Sequence, residues 1–141
     1  MKLSTTHLNA FFFSLLFATV LIATGCKGDD EKTLAEQLQG DWTVESFTED
    51  GVESINSDIN SFTMEYEEYR DNEGDFNWKI TYFDGSSETI TGEYQVDETD
   101  KELEISGNGF QFQLDVDLQG NDLELSGNLD GYAIIIKAER D

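Results

Sequence analysis

From about residue 60 onward, apolar and polar side chains alternate. In Ser61–Tyr69 (SFTMEYEEY), Phe62, Met64 and Tyr66 share one parity and Thr63, Glu65 and Glu67 the other. In Asp75–Phe83 (DFNWKITYF), Phe76, Trp78, Ile80 and Tyr82 oppose Asn77, Lys79 and Thr81. In Phe110–Leu118 (FQFQLDVDL), Phe110, Phe112, Leu114, Val116 and Leu118 oppose Gln111, Gln113, Asp115 and Asp117. A period of two marks strands with one dry and one wet face. Extended along the chain, the pattern predicts eight strands, near 41–49, 60–69, 75–83, 87–96, 101–106, 110–118, 121–126 and 131–138. Turn residues separate them: Asn72 to Gly74, Asp84-Gly85, Asp97 to Asp100, Gly107 to Gly109, Gly120-Asn121 and Gly127 to Gly131. A short amphipathic helix, Thr33 to Gln39, carries Leu34 and Leu38 on one side and ends at Gly40.

No long helix follows, so no crossover can make strands parallel. The stretch LEISGN at 103–108 recurs as LELSGN at 123–128, a spacing that holds two strands and two turns. Two hairpins built alike, or two uses of the same turn chemistry, both fit an up-and-down meander. The predicted class is all-β: an eight-stranded antiparallel up-and-down barrel preceded by a short N-terminal helix. Closure removes exposed sheet edges. A two-layer sandwich is the alternative.

The N-terminus follows a different rule. Lys2 is the only charge in residues 1–25, and Ala10 to Ala23 is apolar apart from Ser14 and Thr19. A run of this length with a small-residue exit predicts a secretory signal peptide rather than a membrane span, which needs about 18 or more apolar residues. Its removal takes one basic residue and no acid. It leaves 7 basic against 31 acidic residues, a formal charge of −24. Such a field argues against nucleic acid and anionic surfaces, which call for a basic footprint. High charge also accompanies disorder. Here the aromatics sit in register on the strands, so the acids are read as the wet face of a sheet.

Ala23-Thr24-Gly25-Cys26 resembles the lipobox of bacterial lipoproteins. That resemblance implies cleavage before Cys26 and its acylation, hence attachment to a membrane by lipid. More than one acyl chain gives stable anchoring. The acidic run Lys27 to Glu31 (KGDDE) resembles the surface-export signal of lipoproteins in one large Gram-negative group. It implies display on the outer face of the outer membrane; a periplasm-facing anchor is the alternative. The expected organisation is signal peptide 1–25, lipidated cysteine and acidic tether 26–32, and barrel domain 33–141.

Gly40-Asp41-Trp42 opens the first strand just after the short helix, and the fuller stretch is LQGDWTVESFTEDG, Leu38 to Gly51. This is similar to the Gly-x-Trp start of lipocalins, and to lipocalin-like domains of bacterial surface lipoproteins. The resemblance covers about 33–141. It implies that Trp42 plugs one end of the barrel and that a basic residue near the last strand stacks on it, Arg140 first and Lys137 second. Gly40, Trp42 and Arg140 are then structural residues.

The only histidine, His7, and the only cysteine, Cys26, lie in the signal and at the lipidation point. The barrel therefore offers no nucleophile–histidine pair and no histidine metal site. Carboxylate pairs suit a hydrolase, but none stands out, and DVDLQG and RDNEGD lack the glutamate that completes a calcium loop. The expectation is a non-enzyme without cofactor or metal. The best reading is a binder of a small apolar or neutral ligand, lined by an interior that includes Phe62, Met64, Tyr66, Trp78, Tyr82, Tyr94, Phe112 and Tyr132. The alternative is a protein-interaction module with a closed core, using its loops, of which Glu49 to Asn60 is the longest; a carboxylate-dependent hydrolase is the last choice. A monomer is favoured.

Overall fold

A computed structural model describes residues 31–141, and Lys32–Asp141 forms one compact unit. The expected signal peptide and Cys26 lie outside the described residues. The elements run α1 (Leu34–Leu38), β1 (Gly40–Glu49), β2 (Val52–Glu53), β3 (Ile59–Tyr66), β4 (Gly74–Tyr82), β5 (Ser87–Asp97), β6 (Glu102–Gly107), β7 (Phe110–Gln119), β8 (Asp122–Leu129) and β9 (Tyr132–Arg140). From β3 each strand pairs antiparallel with the next, and β1 pairs with both β3 and β9, which closes an eight-stranded barrel. The eight predicted strands are present. The sequence pattern missed β2, a two-residue strand inside the Glu49–Asn60 connection that pairs with Thr48–Glu49.

Alternation delivers the core as the period demands. Phe62, Met64 and Tyr66 on β3 and Phe76, Trp78 and Ile80 on β4 are all buried, and the residues between them are exposed or half-buried. No polar or charged residue is buried among the described residues, so the acids occupy the outer wall and the turns. One departure is instructive. The β1–β9 register shifts between Val44 and Ser46. The bulge at Glu45 resets the parity, so Phe47 packs on the core, edge-on to Phe62 with centroids 5.9 Å apart.

The LEISGN and LELSGN repeats become β6 and β8. Their glycines share a purpose. A Cβ on Gly107 would stand 2.3 Å from the Phe110 ring, and one on Gly127 would stand 2.8 Å from Leu114. In each hairpin the missing side chain makes room for the apolar residue opposite.

In an up-and-down barrel successive connections lie at opposite ends. The turns after β3, β5 and β7 share one end with the start of β1. The connections after β1, β4, β6 and β8 share the other.

Candidate functional site: an apolar mouth opposite a plugged end

The end at which β1 begins is shut. α1 starts with a reciprocal cap, Glu36 N–H donating to Thr33 Oγ1 at 3.2 Å and Thr33 N–H to the Glu36 carboxylate at 2.9 Å. The Glu98 carboxylate, in the β5–β6 turn, accepts from Leu34 N–H (2.7 Å) and Ala35 N–H (3.0 Å). At the other end of α1 the Trp42 indole donates to the Leu38 carbonyl at 2.8 Å. The Arg140 guanidinium stacks on that ring, 4.3 Å from its centroid, and donates to the carbonyls of Gln39 (2.7 Å) and Gln37. The expected cation–indole contact is thus present at Arg140, whereas Lys137 points elsewhere and pairs with Glu124 at 3.2 Å. Gly40 takes φ +116° there, and a Cβ on it would press on Arg140 at 3.2 Å.

Two of the predicted ligand residues belong to this plugged end. Tyr66 and Tyr94 pack edge-on at 5.1 Å. The Tyr94 hydroxyl donates to the Glu67 carbonyl at 2.7 Å. The Tyr66 hydroxyl is fully buried, and burial pushes its pKa far above the ordinary tyrosine value. The Trp78 indole counteracts that shift from close by, yet the two groups do not reach hydrogen-bonding geometry, and among the described residues neither Tyr66 Oη nor Trp78 Nε1 has a partner. Phe62 and Met64 are packed solid at mid-barrel.

The open end differs. A cleft of about 400 Å³ is lined by Trp78, Ile90, Phe110, Phe112 and Leu129, with Glu88, Thr89, Thr91 and Asn108 at its rim. Trp78 is its buried floor, and the other four apolar side chains are half-buried. The aromatic wall is continuous: Phe76–Trp78 at 5.6 Å, Trp78–Phe112 at 6.3 Å, Phe110–Phe112 at 5.8 Å. Among the described residues, three of the four exposed large apolar side chains, Val52, Phe83 and Tyr132, belong to the connections and strand start of this same end.

Of the predicted ligand-binding residues, Trp78 and Phe112 line the cleft. Tyr82 is half-buried at the open end, where its hydroxyl donates to the Glu88 carboxylate at 3.2 Å. Tyr132 is a correction: it has the parity of Ile134 and Ile136 but stands at the first position of β9, beyond the filled interior, and is 56% exposed. Leu129 was missed, because a glycine-flanked stretch read as a turn continues β8 by three residues. Among the described residues no group of three or more His, Cys, Asp or Glu side chains converges on a metal-sized site.

The fold thus defines the class: a closed eight-stranded antiparallel β-barrel, plugged at one end and apolar at the other. No protein-family model and no curated protein matches the chain. Solved structures do. A redesigned β-barrel, b11L5F_LGL, matches with a TM-score of 0.60 at 19% identity, over 76% of this chain and 94% of that one. A de novo designed fluorescence-activating β-barrel matches with a TM-score of 0.58 at 17% identity, over 78% and 99%. A redesigned β-barrel, mFAP1, bound to DFHBI, matches with a TM-score of 0.54 at 22% identity, over 77% and 100%. At these identities the likeness is one of fold.

Proposed function

We propose that this protein is a lipid-anchored envelope protein, lipocalin-like in plan, whose barrel mouth takes a small apolar or neutral ligand. The observation that carries the reading is the cleft lined by Trp78, Ile90, Phe110, Phe112 and Leu129. Its volume falls in the range of small-molecule sites, about 300–1,000 Å³. Its walls bear no charge except Glu88 at the rim, so a charged guest would lose hydration without gaining a partner. A barrel of this plan, mFAP1, is bound to DFHBI, which supports the reading that such a barrel can hold a ligand. The role is binding and not catalysis.

The anchor is the acylated Cys26, with the acidic run to Glu31 directing the protein to the cell surface. Changing Cys26 to Ser is expected to move the protein from the membrane to the soluble fraction. Protease added to intact cells is expected to degrade the wild type, and survival until the outer membrane is broken would reject surface display.

The ligand is tested by mass spectrometry of an organic extract of protein purified from its own membrane. A neutral compound present in the wild type and absent from Leu129→Glu is the expected result. A second reading, a non-catalytic interaction module, is favoured by one observation: below the cleft the interior is filled by Tyr66, Leu103, Ile105, Leu114 and Leu125, each at most 1% exposed. Extracts empty in both proteins would shift the conclusion to that reading.

A further inference from the structure

Among the described residues the hydrogen-bond ladder has three interruptions at the open end, between β1 and β3, between β5 and β6, and between β7 and β8, where Phe110–Gln113 pairs with β6 alone; the chain itself closes only the first. β1 pairs with β3 across Gly40–Thr43 and no higher. Above that, the connection from Glu49 to Ile59 folds back over the free side of β1. The Glu53 carboxylate accepts from Phe47 N–H (3.0 Å), Ile55 N–H (2.8 Å) and the Ser46 hydroxyl (2.5 Å), and Ser54 N–H donates to the Phe47 carbonyl (2.9 Å). β2 adds two further pairs.

The interruption between β5 and β6 is left open. β5 pairs with β6 from Gly92 downward, and above Gly92 the segment Ser87–Thr91 pairs with β4 alone. The cause is local. β6 ends at Gly107, opposite Gly92, and turns back through Asn108 and Gly109. A Cβ on Gly92 would stand 2.0 Å from the Ser106 carbonyl oxygen, so the two backbones meet more closely than any side chain allows. Beyond this pinch no described residue pairs with β5 on the side β6 has left. Natural edge strands are usually blunted by shortness, charged side chains (Lys above all), Pro or a bulge. Ser87–Thr91 (SETIT) has no Lys or Pro, its pairing with β4 runs without a register shift, and its one charge is Glu88, which repels an acidic strand and attracts a basic one. Every side chain in it is exposed except Ile90, which is half-buried in the apolar cleft.

An unpaired edge beside an apolar trough is the arrangement that captures an extended peptide: backbone pairing holds the strand, and alternate side chains enter the trough. We propose that Ser87–Thr91 accepts a strand from a partner protein, apolar at alternate residues and basic between them. Its apolar side chains seat over Ile90, Phe110 and Phe112. The charge of the chain selects the basic partner and disfavours a second copy: Glu88 lies at the cleft, Glu93 follows on the same strand, Asp84 sits in the turn before it, and the whole chain carries a formal −23. The proposal goes beyond the small-ligand reading and does not rest on it, although the two occupants would compete.

The probe is a fluorescein-labelled nine-residue peptide alternating Val or Phe with Lys, blocked at both termini and titrated into the full-length protein. The expected result is saturable binding, with amide hydrogen exchange slowed in Ser87–Thr91 and unchanged in Tyr132–Arg140. N-methylation of alternate peptide amides removes pairing donors without touching the protein, and is expected to weaken binding at least about tenfold. Replacing Lys by Glu in the peptide is expected to weaken it comparably. Absence of saturable binding up to ~1 mM, where affinity has fallen to a nonspecific level, would overturn the proposal. Equal affinity of the N-methylated or the Glu peptide, or slowed exchange outside the β5 edge, would overturn it as well.

Discussion

Two tyrosines at the plugged end, packed against each other, carry opposite consequences. Tyr94 has a partner for its hydroxyl, and Tyr66 has none. Removing a buried, unpartnered hydroxyl without changing ring volume relieves a desolvation cost, so Tyr66→Phe is expected to stabilise the barrel by about 1 kcal/mol. Tyr94→Phe is expected to destabilise it by about 1 kcal/mol, the typical net worth of one hydrogen bond. Urea unfolding of the two variants gives the comparison. Arg140 is a larger case, because one side chain stacks on Trp42 and donates to two carbonyls. Arg140→Ala is expected to cost about 2–4 kcal/mol. Arg140→Lys, which keeps the charge but has no planar fork to reach both carbonyls, is expected to recover less than half of that. At this scale much was readable in advance: the Gly40–Trp42 stretch and the basic residue at the end of the chain pointed to the plug. Parity alone could not show that Tyr132 stands outside the filled interior, because parity reports the face of a strand and not the height along it.

Among the elements, the connection from Glu49 to Ile59 depends on one carboxylate. Burial pushes the Glu53 pKa up, but hydrogen bonds from the Ser46 hydroxyl and from the N–H groups of Phe47 and Ile55 outweigh it and hold the group below its ordinary value of 4.5. A carboxyl held lower in the folded than in the unfolded chain contributes stability above its ordinary value. That contribution is lost as pH falls through the folded value. The protection factors of amides in residues 49–59, taken relative to the intrinsic exchange rate at each pH, are therefore expected to fall below pH 4.5 in the wild type. Glu53→Gln should exchange faster at neutral pH and lose that acid step. The pinch at Gly92 is a second element-scale test: Gly92→Ala drives a methyl into the Ser106 carbonyl and is expected to cost about 3 kcal/mol, seen as a lower melting temperature. The strands themselves were legible because their alternation is long and regular. β2, the bulge at Glu45 and the last residues of β8 were not, because each is fixed by a partner strand rather than by its own pattern.

For the whole molecule, charge and cavity make separate claims. Acidic side chains dominate the outer wall, and their mutual repulsion is relieved by salt. The melting temperature is expected to rise as ionic strength increases from about 0.01 M to 0.5 M, over which the screening length shrinks severalfold. The barrel followed from eight alternating strands and short turns, since closure is the arrangement that leaves few free edges. The position of the cleft did not follow. It depends on where β6 stops relative to β5, and on side chains from several strands meeting at one end. The central claim is that this mouth is a binding site, and titration of the full-length protein with Nile red, a neutral solvatochromic dye, tests it most directly. Saturable fluorescence enhancement at a single site is predicted, abolished in Leu129→Glu and retained in Ile135→Glu, whose side chain lies on the outer face of β9. Enhancement that never saturates, or that survives Leu129→Glu undiminished, would contradict the claim.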